Sequence, residues 1–135
     1  EESLRESEMR FKSQYHGSPI PTMTWQKQGE DFVLVDANDA AFQMSAGEVK
    51  SFIRKSAREI YHDQKDVLND LRRCYEEKIV IKREFQSRHF FVGRSIIATF
   101  AFVPRDLVMV HVEDISERKR AEEALLKEGN FKFKQ

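Results

Sequence analysis

Apolar residues recur at helical spacing near both ends of this 135-residue chain. Between the two ends, segments with strand-like spacing and segments with helical spacing follow one another. The N-terminal stripe, at i, i+7 and i+11 of a charged segment, consists of Leu4, Phe11 and Tyr15. A second charged segment near the C-terminus has a narrower stripe that includes Ala121 and Leu125. A stripe this narrow buries little within one chain, so it suits a helix that pairs with another copy or with a neighbouring domain.

The periodicity changes several times between these two helices. Five segments have strand-like spacing and composition: 23–28, 32–35, 79–87, 94–103 and 107–114. Three segments between the second and third of these have helical spacing: 40–42, 48–55 and 64–77. Two clusters of strands around a helical insert predict an α+β domain with an antiparallel sheet.

The strand at 94–103 is apolar on both of its faces. One face carries Ile96, Ala98, Phe100 and Phe102, and the other carries Ile97, Thr99, Ala101 and Val103. A half-solvated antiparallel strand alternates apolar with polar residues, so we expect something to cover the second face. That cover is the N-terminal helix folded back, or the same helix of a second chain. The pattern leaves open which face points inward.

Composition narrows the class of protein further. Eleven Phe, three Tyr and one Trp are enough for one core, and equal numbers of acidic and basic residues disfavour nucleic-acid binding. A single cysteine excludes an intramolecular disulfide and a thiolate-rich metal site, and it fits a reducing compartment. No apolar run approaches the roughly 20 residues of a membrane helix, so we expect no membrane contact. The chain starts with Glu, which suggests a piece of a longer protein.

Four local motifs follow one another in the order typical of one signalling family. They are SPIP at 18–21, VDANDAAF at 35–42, IYHD at 60–63 and VEDISERKRAEEAL at 112–125. The last is close to the D-I-T-E-R-K-R-A-E-E-A-L exit of sensor PAS domains, whereas the third matches the family's I-H-P-E-D segment only in part. The chain therefore resembles the PAS domain family over about residues 4–128.

This resemblance implies an α+β, PAS-like fold: a five-stranded antiparallel sheet with helices on one face and amphipathic flanking helices at both ends. It divides the chain into an N-terminal flanking helix (1–15), a sensor domain (16–114) and a C-terminal signalling linker helix and tail (115–135). It also implies a cytoplasmic, non-enzymatic sensory module. Such a module forms a homodimer, and its covalently linked partners are further PAS domains or an output domain such as a histidine kinase or diguanylate cyclase.

Two other functions stay open on the residues alone. The first is a ligand-free dimerisation scaffold, which differs from a sensor only in its empty interior. The second, less favoured, is a small isomerase-like enzyme with a hydrophobic pocket, although the expected inward positions offer no general base. The chain also lacks the G-x-S-x-G, GxxxxGK[ST] and GxGxxG motifs of common enzyme classes.

The exit junction, residues 114–116, joins the last strand directly to the C-terminal helix. Asp114 or Ser116 can cap that helix, and a small shift of the sheet would tilt or rotate it. Asp114, Ile115 and Ser116 are therefore candidates for signal transmission, and Leu4, Phe11, Tyr15, Ala121 and Leu125 for dimer contacts. The alternative is a stable strand-to-helix turn without a signalling role.

The resemblance also directs attention to cofactors, and neither flavin nor haem is favoured. The flavin-binding members resemble one another in an N-C-R-F-L-Q motif that is missing here, and their last-strand glutamine corresponds to Val112. Cys74 occupies an apolar helical position and is expected in the core. His62 precedes the long helix, whereas haem-binding members carry their histidine on it. We therefore expect no cofactor and no metal site.

A small apolar ligand in the interior is a possibility that the pattern leaves open beside a filled core. The candidate ligand-binding residues, expected on the inner surface, are Phe42, Phe52, Ile53, Leu71, Ile97, Thr99, Ala101 and Val112. Thr99 is the only polar side chain among them, so it is the one expected to orient a ligand.

Overall fold

The last strand of the chain lies at the centre of a five-stranded sheet. A computed structural model describes the backbone of residues 2–134 and the side chains of residues 4–128. The strands are β1 (Thr22–Gln28), β2 (Asp31–Ala37), β3 (Ile81–Gln86), β4 (Ser95–Val103) and β5 (Leu107–Asp114). Their order is β2-β1-β5-β4-β3, and all neighbours are antiparallel.

Five helices accompany the sheet. They are α1 (Glu2–Gly17), α2 (Asp39–Met44), α3 (Ala57–Ile60), α4 (Lys65–Glu77) and α5 (Ser116–Lys134), with a 3₁₀ turn at Glu48–Phe52. The predicted fold class, an antiparallel α+β sheet with helices on one face, is confirmed. The predicted helix at 48–55 is a shorter 3₁₀ turn instead, and α3 is an addition. The predicted flanking segments 1–15 and 115–135 include residues 1 and 135, which lie outside the described backbone.

The inner face of the sheet packs against the helices between β2 and β3. In β4 the buried side chains are Ile96, Ala98 and Phe100, and in β5 they are Val108, Val110 and Val112. The helix α4 covers both strands, with Leu71 and Cys74 fully buried on its inner side. Because side chains alternate between the two faces along a strand, every second side chain of these strand segments lies in a single apolar core.

The expectation that Ile97, Thr99 and Ala101 share the inner face with Val112 is wrong. Val112 pairs with Ala98 across β4 and β5, and directly opposed residues project from the same face of a sheet. Ile97, Thr99 and Ala101 therefore point outward, where each is only half-buried. The error is one residue of register, which moves every side chain of a strand to the other face.

Helix α1 touches the domain at its C-terminal end. The Tyr15 hydroxyl hydrogen-bonds to Thr24 Oγ1 at 2.9 Å, and His16 Nδ1 lies 3.6 Å from Asp39 Oδ1. Residues 4–14 are exposed, so the helix does not lie across the outer face of its own sheet as one interpretation of the sequence expected. Cover by the helix of a second chain stays a prediction.

Two polar groups fix the helices on the sheet. Asn38 is fully buried, and its Oδ1 accepts from the backbone N–H groups of Thr22 at 2.9 Å and Ala41 at 3.1 Å, so it caps α2 and binds the start of β1. Asp70 of α4 is also fully buried and accepts a bidentate hydrogen bond from Arg83 of β3. This ion pair holds α4 against the edge of the sheet, and it raises the pKa of Arg83 further.

Candidate functional site

The interior between the sheet and α4 is almost completely filled. A cavity of about 20 Å³ remains, with room for about one water molecule. Its walls come from the inner faces of β1, β3, β4 and β5, from α4 and from the loop between β3 and β4. Trp25 of β1, Leu71 of α4 and Val112 of β5 are among the lining residues.

The β3–β4 loop, residues 87–94, supplies the aromatic side chains at the open end of this interior. Phe90 and Phe91 are each only 3% exposed although they lie in a turn. The Phe90 ring meets Phe52 edge-on at a centroid distance of 4.9 Å and Tyr61 at 6.1 Å. Aromatic pairs favour such geometry, so these contacts stabilise the Phe90 ring in the interior.

An ion pair on the surface holds the same loop. His89 Nε2 lies 3.3 Å from Asp63 Oδ1, and Arg88 contributes a longer contact of 3.9 Å to the other carboxylate oxygen. Desolvation acts to raise the pKa of Asp63, but hydrogen bonds from His89 and its own backbone, with nearby imidazole charge, lower it. Both partners are partly exposed, so this contact stabilises the position of the loop only weakly.

One polar atom in the cavity wall has no partner. Gln64 Oε1, at the start of α4, is buried and accepts no hydrogen bond, and it is the only buried side-chain atom of this kind among the described residues. Tyr61 also faces the cavity, and burial raises the pKa of its hydroxyl strongly. The lining contains no carboxylate, ammonium or guanidinium group.

The exit junction is tied to the end of the β3–β4 loop by several hydrogen bonds. The Ile115 N–H donates to the Ser95 carbonyl at 2.8 Å, and the Ser95 N–H donates to Ser116 Oγ at 3.0 Å. Asp114 accepts from the Ser116 N–H at 2.9 Å and from Arg94 at 3.1 Å. Partial burial acts to raise the pKa of Asp114, but the contacts with Ser116 and Arg94 lower it.

Helix α5 leaves the domain directly after this junction. Ile115 is 2% exposed and anchors the start of the helix in the domain. In the first turn, Lys119 Nζ lies 2.7 Å from Glu84 Oε1 on β3, which lowers the pKa of Glu84 and raises that of Lys119. Residues 121–128 are exposed, with Ala121 and Leu125 among them.

The predicted ligand-binding residues are distributed over three places. Leu71 and Val112 line the cavity, whereas Phe42, Phe52 and Ile53 are partly buried and pack against the core without lining the cavity. Ile97 lines a separate open groove of about 730 Å³, which Asp114 of the exit junction also lines. Thr99 and Ala101 lie on the outer face, so Thr99 does not point into the interior.

The predicted dimer residues lie mostly on the surface. Leu4 is 65% exposed and Phe11 56% exposed, and the Phe11 ring stacks on Tyr15 at 6.3 Å. Burial raises the pKa of Tyr15 to about 12, although its hydrogen bond with Thr24 opposes the shift. The apolar stripe of α1 is therefore available over most of its described length.

Sequence reasoning missed the residues that matter most in the interior. They are Trp25, Tyr61, Gln64, Phe90 and Phe91. The available signal was the pair of adjacent phenylalanines within the otherwise polar segment QSRHFFVGRS, because a solvated loop does not ordinarily carry two large aromatic residues.

Two other classes of site find no support among the described residues. Within this part of the chain, no group of three His, Cys, Asp or Glu side chains is placed to hold a metal ion. Cys74 is buried, and burial raises the pKa of its thiol. Among the described helices, none combines the length and the apolar character needed to cross a bilayer.

Comparison with known proteins gives matches to solved structures only. No protein-family model and no curated protein sequence matches this chain. An RNA-binding light-oxygen-voltage receptor is similar at a TM-score of 0.69 and 11% identity, over 93% of this chain and 37% of that one. This chain thus spans just over a third of that receptor.

Two isolated PAS domains match over nearly their whole length. The PAS domain of an HTR-like protein from Haloarcula marismortui has a TM-score of 0.59 at 16% identity, over 84% of this chain and 96% of that one. The PAS domain of Bordetella pertussis BvgS has a TM-score of 0.55 at 18% identity, over 96% of this chain and 98% of that one. Identities this low establish a shared fold and leave the function to the residues themselves.

Proposed function

Because the chain has the PAS fold, we propose that it is a sensory and dimerisation module of a cytoplasmic signal-transduction protein, without catalytic activity of its own. It passes a change induced by a ligand or partner through β5 and α5 to an output domain outside this chain. Solved structures with this fold include domains of a nitrogen regulation protein from Vibrio parahaemolyticus and a sensory box histidine kinase/response regulator from Burkholderia thailandensis. The homodimer forms through the exposed stripes of α1 and α5.

The exit junction is the observation that carries this proposal. β5 is the central strand, so a change in the sheet reaches it from either side. Its last residue, Asp114, shares the contacts of Ser116 and Arg94, and Ile115 is buried directly before the exposed helix. A strand and a helix coupled through three fixed residues can convert a shift of the sheet into a tilt or rotation of the helix.

The filled interior supports a second candidate function. With only about 20 Å³ unoccupied, the domain as it stands fits a ligand-free dimerisation scaffold. The two candidates share the junction and the flanking helices, and they differ in whether a molecule enters the interior. In both, no cofactor is part of the proposal.

Substitution of Asp114 tests the junction. In Asp114→Ala, the amides of the first turn of α5 should exchange about fivefold faster or more, since a lost helix cap costs about 1 kcal/mol. Nuclear magnetic resonance resolves these amides in the whole chain. The matched control is Glu113→Ala, which removes an exposed carboxylate one residue earlier and should leave the exchange unchanged. Equal exchange in both variants would show that the junction does not hold the helix.

A further inference from the structure

The β3–β4 loop supplies four of the residues that line the interior: Ser87, His89, Phe90 and Phe91. The β3–β4 loop closes on itself, because the Ser87 N–H donates to the Arg94 carbonyl at 2.9 Å and the Gly93 N–H donates to the Ser87 carbonyl at 3.2 Å. Its outer side is solvated, with Val92 64% exposed. The loop can therefore swing as a unit while the β3–β4 ladder, which ends at the pair Gln86–Ser95, stays formed.

We propose that this loop is a displaceable plug: the Phe90 ring occupies the binding position of a small neutral aromatic molecule with one hydrogen-bond donor, and Gln64 Oε1 receives that donor. The proposal rests on the sensory function proposed above, and it names the class of ligand for that function. It also reconciles a sensor with an interior that has no free space.

The side chains around Phe90 favour a ligand that contains an aromatic ring. Phe52 and Tyr61, which lie outside the loop, present rings at edge-on or tilted angles of 73° and 65° to Phe90. These rings form a ready-made cage once Phe90 leaves. The cavity lining holds no carboxylate, ammonium or guanidinium group, so an ionised ligand would lose its hydration without gaining a partner of that kind.

The buried Oε1 atom of Gln64, which has no hydrogen bond, favours a ligand that carries a hydrogen-bond donor. A buried acceptor without a hydrogen bond is costly, and native interiors contain few of them. Gln64 and Phe90 line the same cavity, and a phenyl side chain cannot donate to Gln64 Oε1. A ring that carries an O–H or N–H, as in a phenol or an indole, would supply the missing hydrogen bond.

Displacement of the loop would act directly on the exit junction. The loop ends at Arg94, whose guanidinium binds Asp114, and the next residue, Ser95, binds both Ile115 and Ser116. The segment that fills the ligand position is thus the segment that holds the start of α5. Movement of the loop withdraws Arg94 from Asp114 and so loosens the start of α5, whereas Ser95, in the retained ladder, keeps its bonds to Ile115 and Ser116.

The test uses phenol and toluene as probes, because they have nearly the same shape and differ in the donor. Trp25 is the only tryptophan and lines the cavity, so its fluorescence in the whole chain reports occupancy. Phe90→Ala should bind both probes at least about tenfold more tightly than the unchanged protein, in which only the displaced fraction is competent. It should bind phenol about fivefold more tightly than toluene because of one hydrogen bond.

Two further variants separate the parts of the proposal. Phe90→Ala combined with Gln64→Leu should bind phenol more weakly than toluene, because the buried O–H then has no acceptor. Val92→Ala, an exposed change in the same loop, should behave as the unchanged protein. Asp63→Asn weakens the contact with His89 and leaves the interior intact, so it should bind phenol a few-fold more tightly even if Phe90→Ala fails to fold.

Specific results overturn the proposal. Folded Phe90→Ala that binds neither probe, or that binds phenol and toluene equally, contradicts it, and so does Asp63→Asn with unchanged phenol binding. Failure of the sensory function has a different signature: phenol binds Asp63→Asn, in which Phe90 must still be displaced, but the amide exchange of α5 does not change. If phenol fails to bind while Asp114→Ala still releases α5, the plug is wrong and the junction stands.

Discussion

The two faces of the central sheet are almost equally apolar, yet only one of them is a core. On β4, Ile96 and Phe100 are 2% and 1% exposed beneath α4, whereas Ile97 and Thr99 on the opposite face are half-buried. The difference lies in what covers each face, because the helical insert between β2 and β3 packs on one side only. The hydrophobic pattern alone therefore identifies a face of the sheet that is stabilised by burial. The topology decides which of the two faces is buried within one chain.

Charged groups on the two faces also differ in their burial: the inner carboxylate is buried, whereas the outer one is exposed. The carboxylate of Asp70 is fully buried on the inner side, where Arg83 neutralises it with two hydrogen bonds. Glu84, the next residue of β3, points outward and pairs with Lys119 of α5 in solvent. Burial of a charge is costly without a partner, so the inner pair fixes one arrangement of α4, whereas the outer pair tolerates movement of α5.

The sharpest way to break this comparison uses two adjacent residues of the same type. Ile96→Ala leaves a cavity beneath α4 and should lower the free energy of unfolding by about 2–5 kcal/mol. Ile97→Ala removes a half-buried side chain and should cost no more than about 1 kcal/mol. Urea unfolding of both variants, followed by Trp25 fluorescence, measures the difference. Equal losses would mean that the outer face is covered as fully as the inner one.

The sequence was sufficient for the strands and the longer helices, but it missed α3, predicted a helix at 48–55 where a 3₁₀ turn lies, and did not give the faces of the strands. The limits of β5 agree with the predicted strand at 107–114, and α4 starts within one residue of its predicted helix at 64–77. Strand and helix periods are local properties, so they can be read from a few neighbouring residues. The inward face of β4 depends on its pairing with β5, a long-range register that places Val112 opposite Ala98.

The interior loop shows a second limit of sequence reasoning. Phe90 and Phe91 stand in a segment without helix or strand period, and nothing local indicates that such a segment folds inward. Their burial depends on Phe52 and Tyr61, which lie about 30 to 40 residues earlier in the chain. The chemistry of the candidate site thus resides in contacts that only the folded chain brings together.

The exposed apolar stripe of α1 gives a prediction whose expected effect is of intermediate size. If a second copy covers the exposed stripe of α1, Phe11→Glu should weaken the dimer about tenfold or more, since burial of one phenylalanine contributes about 1.5–3 kcal/mol. Ser13→Glu introduces the same charge on the opposite side of α1 and is the matched control. Light scattering across a dilution series gives the molar mass. A chain that is monomeric at high concentration, or a dimer that both variants retain, would remove α1 from the interface.

The smallest expected effect concerns His111, which lies on the outer face of β5. Thr22 Oγ1 donates to the Ile20 carbonyl at 3.0 Å, so it accepts from the Nδ1–H of His111 at 2.9 Å. Partial burial lowers the pKa of His111 below its ordinary value of 6.5, so the unfolded chain binds the proton more tightly. His111 therefore lowers the stability of the protein as the pH falls through 6.5, and not above it.

His111→Asn removes this dependence on pH. Above about pH 7.5 the difference in stability between the two proteins should be constant, because the histidine is neutral there and asparagine does not titrate. As the pH falls below 6.5 the unchanged protein should lose stability relative to the variant, because only the unchanged protein is disfavoured by protonation. Urea unfolding at several pH values tests this, and parallel stability curves would place His111 in an environment as open as solvent. Such a relative loss would show that even the uncovered face of the sheet restricts the charge of a side chain, although far less than the face beneath α4.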